Sequence, residues 1–444
     1  MSKSLDMNNV EQFSNSRKVG QILFLVIVTA IALKFFDARF LDPKLIKYIA
    51  FASTWIMIGL SIFQIFNQKG KFTLPVRLIF FSILFSIVMA NYSWGQSIYD
   101  SLLETTDFML WPLFFFLLYL KIPIKTIENI VVCFGILYVL LYFYQYLNSG
   151  TVIFGKPLWG DEFLEQRGAV RIIFPGAGIF ILTIFIAITK LTTSDKHRIF
   201  WLLIAFAGLV VPIMQVTRQF IAGVFLLYFF HFFKNAAFMK KTVVLLLFFI
   251  GAVIALQSDI PMIQGLIEVG KRDAELGSNY IRVLAGEYFL FDFSPNTWSR
   301  IFGNGAPNWG TSQYGKFVEF LSYEKEYYLS DVGIIAVYAM FGVFAILGFV
   351  LIWYKSFSIP VKEKYAYVKY YLWYILITSV TWYSVYHYHY LVSTVFAIYI
   401  YQAALDNDKK EQLAIKLLQK IKRIRRLEAL QAKEKPIKTI ATEE

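Results

Sequence analysis

The sequence predicts an all-α, polytopic integral membrane protein with about twelve transmembrane helices and one large loop held at one membrane face. Three observations carry that prediction. Apolar runs long enough to cross a bilayer, which takes roughly 20 residues, recur along almost the whole chain. One long polar gap, from about Gln257 to Ser330, interrupts them. The composition is 58% hydrophobic and only 16% charged, so lipid must cover apolar surface that a soluble domain of this length could not hide. In lipid every backbone polar group needs an internal partner, and helices meet that demand locally. A transmembrane barrel would instead show shorter segments of alternating polarity.

The runs fall at about 20–36, 47–66, 75–91, 103–120, 126–147, 172–190, 198–216, 219–233, 241–257, 331–354, 366–384 and 389–405. Two are marginal: 103–120 holds Glu104 and Asp107, and 219–233 is short. Residues 1–19 are polar and no small-residue cleavage site closes the first run, so that run is expected to be a retained span. Lys34, near its far end, is placed to snorkel to the interface. The single Cys133 excludes an intrachain disulfide and leaves the large loop to be ordered by packing.

Twelve spans put both termini on one side. With that side cytoplasmic, about two thirds of the 43 Lys and Arg lie in cytoplasmic segments, as the positive-inside rule requires. The first outer loop, with Arg39, Lys44 and Lys47, is the exception. The net charge of +13 then reflects orientation and attraction to anionic lipid. Its spread over many loops argues against nucleic-acid binding. The chain divides into a cytoplasmic N-terminus (1–19), nine spans (20–256), the large outer loop (257–330), three spans (331–405) and a basic cytoplasmic tail (406–444). In the tail, Leu413, Leu417, Ile421, Ile424 and Leu427 recur at helical spacing among lysines and arginines. That is a basic amphipathic helix suited to the inner leaflet surface.

Arginines cluster at the outer span mouths: Arg167 and Arg171 before the sixth span, Arg218 between the seventh and eighth, and Arg282 and Arg300 in the large loop. Arg218 is the sharpest case, because Val211–Gly223 joins two apolar runs with almost no loop. A charge at a helix centre costs about 2.5–3.5 kcal/mol and less near an end. Two readings stand: a task that needs the cation, or a snorkelling interface arginine. The guanidinium fork stays charged and binds phosphate oxygens in pairs. Arg167, Arg171, Arg218 and Arg282 around one outer cavity would therefore clamp a pyrophosphate. On that side the available phosphates belong to polyprenyl-linked sugars.

In the large loop, Leu276–Asn279 is a turn with an expected N-cap, followed by Ile281, Leu284, Tyr288 and Phe291 on one helical face. Arg282 lies beside that face. Phe302–Gly310 is turn-rich, but it lacks the βαβ context of a dinucleotide site. The outer acids are Asp161, Glu162, Glu165, Glu287, Asp292, Glu319, Glu324, Glu326 and Asp331. An inverting glycosyl transfer needs a base for the acceptor hydroxyl, and Glu326 and Asp331, just before the tenth span, are the candidates. For Asp331 the cap of that helix is the first reading and catalysis the second. Glu104 and Asp107 are expected to pair with an arginine or to line the cavity. His387 and His389 lack the third ligand a zinc site wants, so no metal and no cofactor are expected. Asp406-Asn-Asp408 is expected in a polar linker at the end of the last span.

With these features the chain resembles the O-antigen polymerase and ligase family. The resemblance rests on the topology and on Gln166–Arg171, Thr217-Arg218 with Gly223, Asn279–Arg282, Phe302–Gly305 and Tyr327–Gly333. It implies a GT-C-like helical fold in the bacterial inner membrane. It further implies glycosyl transfer from undecaprenyl-pyrophosphate-linked glycans at the periplasmic face, arginines on the pyrophosphate, and no metal requirement. Implied partners are lipid-linked oligosaccharides, membrane lipid, a chain-length regulator and a flippase. Ligases usually carry a His-Asn pair where this chain has Lys325-Glu326, which favours a polymerase of oligosaccharide repeats over a ligase. A lipid-linked-glycan flippase or transporter is the reading from another class. It is disfavoured because no paired halves are visible in the sequence.

Overall fold

A computed structural model describes residues 18–157, 163, 165–166, 169–235, 241–243, 245–246, 248–250, 253, 257 and 261–440. The architecture is helical, and the one β-element described is a two-residue ladder, β1 (Glu165–Gln166) with β2 (Ala169–Val170). The helices are α1 (Lys18–Ala32), α2 (Pro43–Asn67), α3 (Thr73–Trp94), α4 (Ile98–Thr105), α5 (Pro112–Leu120), α6 (Ile124–Leu147), α7 (Ala177–Thr193), α8 (Arg198–Met214) and α9 (Arg218–Asn235). They continue as α10 (Lys241–Ile250), α11 (Pro261–Leu276), α12 (Ile281–Phe291), α13 (Thr297–Phe302), α14 (Gln313–Glu324), α15 (Ile334–Ser358), α16 (Tyr367–Thr378) and α17 (Tyr388–Ile440).

Four of these, α2, α3, α6 and α15, are long and apolar enough to cross a membrane. A fifth crossing results if α4 and α5 count as one broken span, bent by 54°. The expected single run at 103–120 is therefore broken, and Pro112 at the start of α5 is the local cause. Shorter apolar helices, α1, α7, α8 and α10, occupy other predicted runs. Ile56, Leu60, Phe63 and Phe66 on α2 and Ile199, Leu202, Leu203 and Phe206 on α8 are exposed. That outward apolar surface suits lipid and not water.

The core sits around α7. Every residue from Ala177 to Thr189 is buried, as expected of a helix that is apolar all round. It packs on α6, α8, α16 and α17. The apolar run expected at 389–405 and the tail form one helix of 53 residues, so Asp406 and Asp408 lie within α17 and not in a linker. Asp408 and Glu411 pair with Lys362, which precedes α16. Leu413, Leu417, Ile421, Ile424 and Leu427 form an exposed apolar stripe on that helix.

Phe302–Gly305 has a structural task. The Gly303 N–H bonds Ser299 O, and the N–H groups of Asn304 and Gly305 bond Ala339 O and Met340 O on α15. Gly303 (φ +85) and Gly342 (φ +79) meet backbone to backbone, and a Cβ on Gly303 would lie 2.3 Å from Met340 O. Asn304 is fully buried and satisfied: its Nδ2 donates to Ser294 Oγ and Ala339 O, and its Oδ1 accepts from Trp94 Nε1 at 2.8 Å.

Two embedded acids find lysines instead of the expected arginine. Lys34 pairs with Asp107 at 2.7 Å and Lys47 with Glu104 at 2.9 Å. Lys34 also lies 3.9 Å above the Tyr388 ring. It is held by these two contacts.

Candidate functional site

Arg218 is the first residue of α9, with only three residues between it and the end of α8. The reversal is tight because Val216 takes a left-handed conformation (φ +52). Gln215 anchors it by donating to the Tyr138 hydroxyl at 2.8 Å. Arg171 follows β2 and is carried by the buried Ile172 and Phe174. Arg282 is the second residue of α12. The three arginines, from three separate segments, line one cavity of about 360 Å³ together with Thr217, Gln219, Asp273, Tyr280, Thr381 and Trp382.

Each arginine is held in place. Arg218 pairs with Asp273, whose side chain is 12% exposed. Arg282 bonds Asp331 through Nε at 3.1 Å and through a terminal nitrogen at 3.0 Å. The Arg171 guanidinium stands 5.8 Å from the Trp382 ring centroid. Each guanidinium has five N–H donors, so Arg218 and Arg282 keep donors beyond those their acids use. Burial pushes the Asp273 carboxyl up, but the Arg218 hydrogen bond and charge, with Tyr280 and Arg272 added, outweigh it and hold it below the usual carboxylate range. Asp273 is thus a weak base and a firm anchor for Arg218.

The polar lining is incompletely used. Gln219 Oε1 and Thr381 Oγ1 are buried and have no hydrogen-bond partner among the described residues. Such atoms normally find one, and both belong to cavity-lining residues. Together the cavity offers guanidinium forks, one hydroxyl donor and one amide acceptor. That set suits an anion attached to a polar body such as a sugar.

Of the sequence candidates, Arg171, Arg218 and Arg282 converge here, with Asp331 bound to the last of them. Asp331 does not cap α15, whose N-cap is Gly333 with no side-chain cap. A Cβ on Gly333 (φ +51) would fall 1.9 Å from Ser379 O. That close approach brings the start of α15 against the chain entering Thr381 and Trp382. Glu326 is exposed, adopts φ +56 and is not among the lining residues. Arg167, Asp161 and Glu162 lie outside the described residues. Arg300 is elsewhere, donating to Phe291 O. The predicted face of α12 is also shifted: Ala285, Gly286 and Phe289 are buried, whereas Phe291 is exposed. The N-cap of α12 is Tyr280, without a side-chain cap.

Sequence reasoning missed Asp273, Gln219, Thr381 and Trp382. The fold alone brings Asp273 to the site, on the face of α11 that it shares with Gly270. Gly270 and Asp273 are three apart on α11, and a Cβ on Gly270 would sit 3.5 Å from an Arg218 nitrogen. The pair thus marks the face turned to the guanidinium. No family model, curated protein or solved structure matches the chain.

Proposed function

We propose that the protein is a metal-independent membrane glycosyltransferase of the O-antigen polymerase type. In this reading it joins undecaprenyl-pyrophosphate-linked oligosaccharide repeats at the periplasmic face of the bacterial inner membrane. The observation that carries this reading is the convergence of Arg171, Arg218 and Arg282 on one cavity. The finer topology belongs to the same proposal: twelve crossings in a GT-C-like arrangement, both termini cytoplasmic, and residues 257–330 periplasmic. The arginines hold the donor pyrophosphate and offset the charge it gains on leaving. Thr381 adds a donor, and Gln219 Oε1 accepts from a sugar hydroxyl.

Of the two candidate bases, neither of which lines the cavity, Asp331 is preferred because it pairs with the lining Arg282. It takes the proton of an acceptor hydroxyl, whose oxygen then attacks the anomeric carbon of the donor sugar. The bond from that carbon to the pyrophosphate oxygen breaks, and undecaprenyl pyrophosphate departs with the electron pair. Purified protein given only lipid-linked repeats should build a ladder of products, and the ladder should persist in chelator. Chelator-sensitive synthesis restored by magnesium would remove metal independence. Absence of a ladder, with repeats moved across vesicle membranes, would replace the enzyme by a flippase.

A further inference from the structure

We propose a second anion site at the N-terminal end of the fold, which takes the phosphate of a membrane lipid. A cleft of about 430 Å³ is lined by Lys34, Arg39, Lys44, Lys47 and Lys156, with Asp37 as its only lining carboxylate among the described residues. These cations include the three that break the positive-inside pattern. Their placement therefore has a local cause and is not noise in the topology.

The charges are not equally available. Lys34 and Lys47 are committed to Asp107 and Glu104, and Lys156 faces Asp37. Asp42 caps α2 through the Lys44 N–H. Arg39 and Lys44 are exposed and have no carboxylate within ion-pairing distance among the described residues. They supply the surplus positive charge. Arg39 brings the fork that fits phosphate oxygens, and Lys44 a mobile point charge.

What makes the cleft a lipid site is its neighbour. Lys34 also lines a narrow groove whose other walls include Val28, Ile31, Ala50, Ser53 and Met57. A hydrocarbon chain laid along α1 and α2 would therefore meet cations where it leaves the apolar wall. Lys34–Asp37, at the junction of groove and cleft, all adopt left-handed backbone (φ +48 to +62). Residues other than glycine avoid that conformation, so the surroundings hold it: Asp107 on Lys34, and the Tyr388 hydroxyl donating to Asp37 at 3.2 Å. A chain of ring contacts links this cleft to the arginine cavity. Trp382 lies 4.3 Å from Tyr383, Tyr383 4.2 Å from His387, and His387 4.4 Å from Tyr388, on which Lys34 sits.

The test is lipid binding to the purified full-length protein in detergent, titrated by native mass spectrometry. The probes are phosphatidylglycerol, polyprenyl monophosphate, phosphatidylcholine and inorganic pyrophosphate. Phosphatidylglycerol or polyprenyl monophosphate should bind more tightly than phosphatidylcholine, and which of the two binds tighter identifies the source. Arg39→Ala with Lys44→Ala should weaken that binding about tenfold or more, the worth of one charged hydrogen bond. Folding should survive, because the Arg39 N–H keeps its bond to Ile153 O. Ser53→Trp, which fills the groove, should weaken the anionic lipids but leave pyrophosphate unaffected. All three results should recur in an Arg218→Ala background, which separates this cleft from the arginine cavity and from the proposed enzyme activity. Wild-type lipid affinity in the Arg39/Lys44 double variant would overturn the site. So would pyrophosphate binding with no effect of Ser53→Trp on the lipids, or loss of all lipid binding in Arg218→Ala alone.

Discussion

The arginine cavity and the Phe302–Gly305 contact draw on the same long interhelical segment and on residues of the same family-like motifs, yet they differ in what they leave unsatisfied. At Phe302–Gly305 the demand is conformational. Two glycines let backbones meet, and Asn304 uses its amide on Trp94, Ser294 and Ala339. In the cavity the demand is electrostatic: three arginines and Asp273 line it, Asp331 holds one of those arginines, and two buried polar atoms keep unspent capacity. The first region is complete without a ligand and the second is not. A motif that looks functional in sequence can therefore serve the fold alone, and burial with full hydrogen bonding is what tells the two apart.

The comparison can be broken most drastically at Gly303. Gly303→Val puts a branched side chain where even a Cβ has 2.3 Å to Met340 O and where φ is +85. Folded protein should be lost, seen as absence of the monodisperse peak in size exclusion. A normal peak would show that the contact is dispensable. Asn304→Leu is milder. It takes the Asn304 partner from Trp94 Nε1 and Ser294 Oγ, at about 1–3 kcal/mol each, while Ala339 O keeps the backbone N–H of residue 304, and it should lower the melting temperature while preserving turnover in the surviving protein. Selective loss of turnover with an unchanged melt would move Asn304 into the site.

Asp273→Asn works in the opposite sense. It should barely change the melt but should cut turnover, on the order of tenfold, because Arg218 loses its charged anchor. The carboxyl of Asp273 is held below its ordinary range. Its ion pair is therefore fully present above that range and is lost only as pH falls through the depressed value. Wild-type turnover should show no step attributable to Asp273 between about pH 5 and 8. The smallest effect concerns His387, between α16 and α17. Burial first, then Lys34 and Lys156, push its pKa down to about 3. Its contribution to stability is present above its ordinary value near 6.5 and fades as pH falls from there toward 3. His387→Gln should flatten the acid side of a melting-temperature profile slightly.

Much of this was legible in the sequence for physical reasons. Apolar runs must become helices in lipid, so helix positions followed from composition. Arg218, at a near-absent loop, announced its own cost, and Arg171 and Arg282 shared its chemistry. What was not legible depends on tertiary placement. Asp273 sits on an amphipathic helix among other charges, and only the fold turns it toward Arg218. Nothing local distinguishes Glu326 from Asp331, yet only Asp331 reaches an arginine. The continuity of α17 past Asp408, where Lys362 pairs with Asp408 and Glu411, is likewise not set by hydropathy, whereas the break at Pro112 had a local signal in the proline itself. Thr381 and Trp382 fall within the apolar run expected at 366–384, but α16 ends at Thr378, which leaves them in the connection that lines the cavity.

The central claim is that the arginine cavity holds the pyrophosphate of a lipid-linked glycan. It is tested most directly by product length on gels from a deletion strain carrying Arg218 variants at matched membrane expression. Arg218→Ala should abolish polymer, and Arg218→Lys should shorten and deplete it strongly, because lysine keeps the charge but loses the bidentate fork. Equal function of lysine and arginine would mean a cation that only reaches the interface, and full-length polymer from Arg218→Ala would contradict the pyrophosphate site outright.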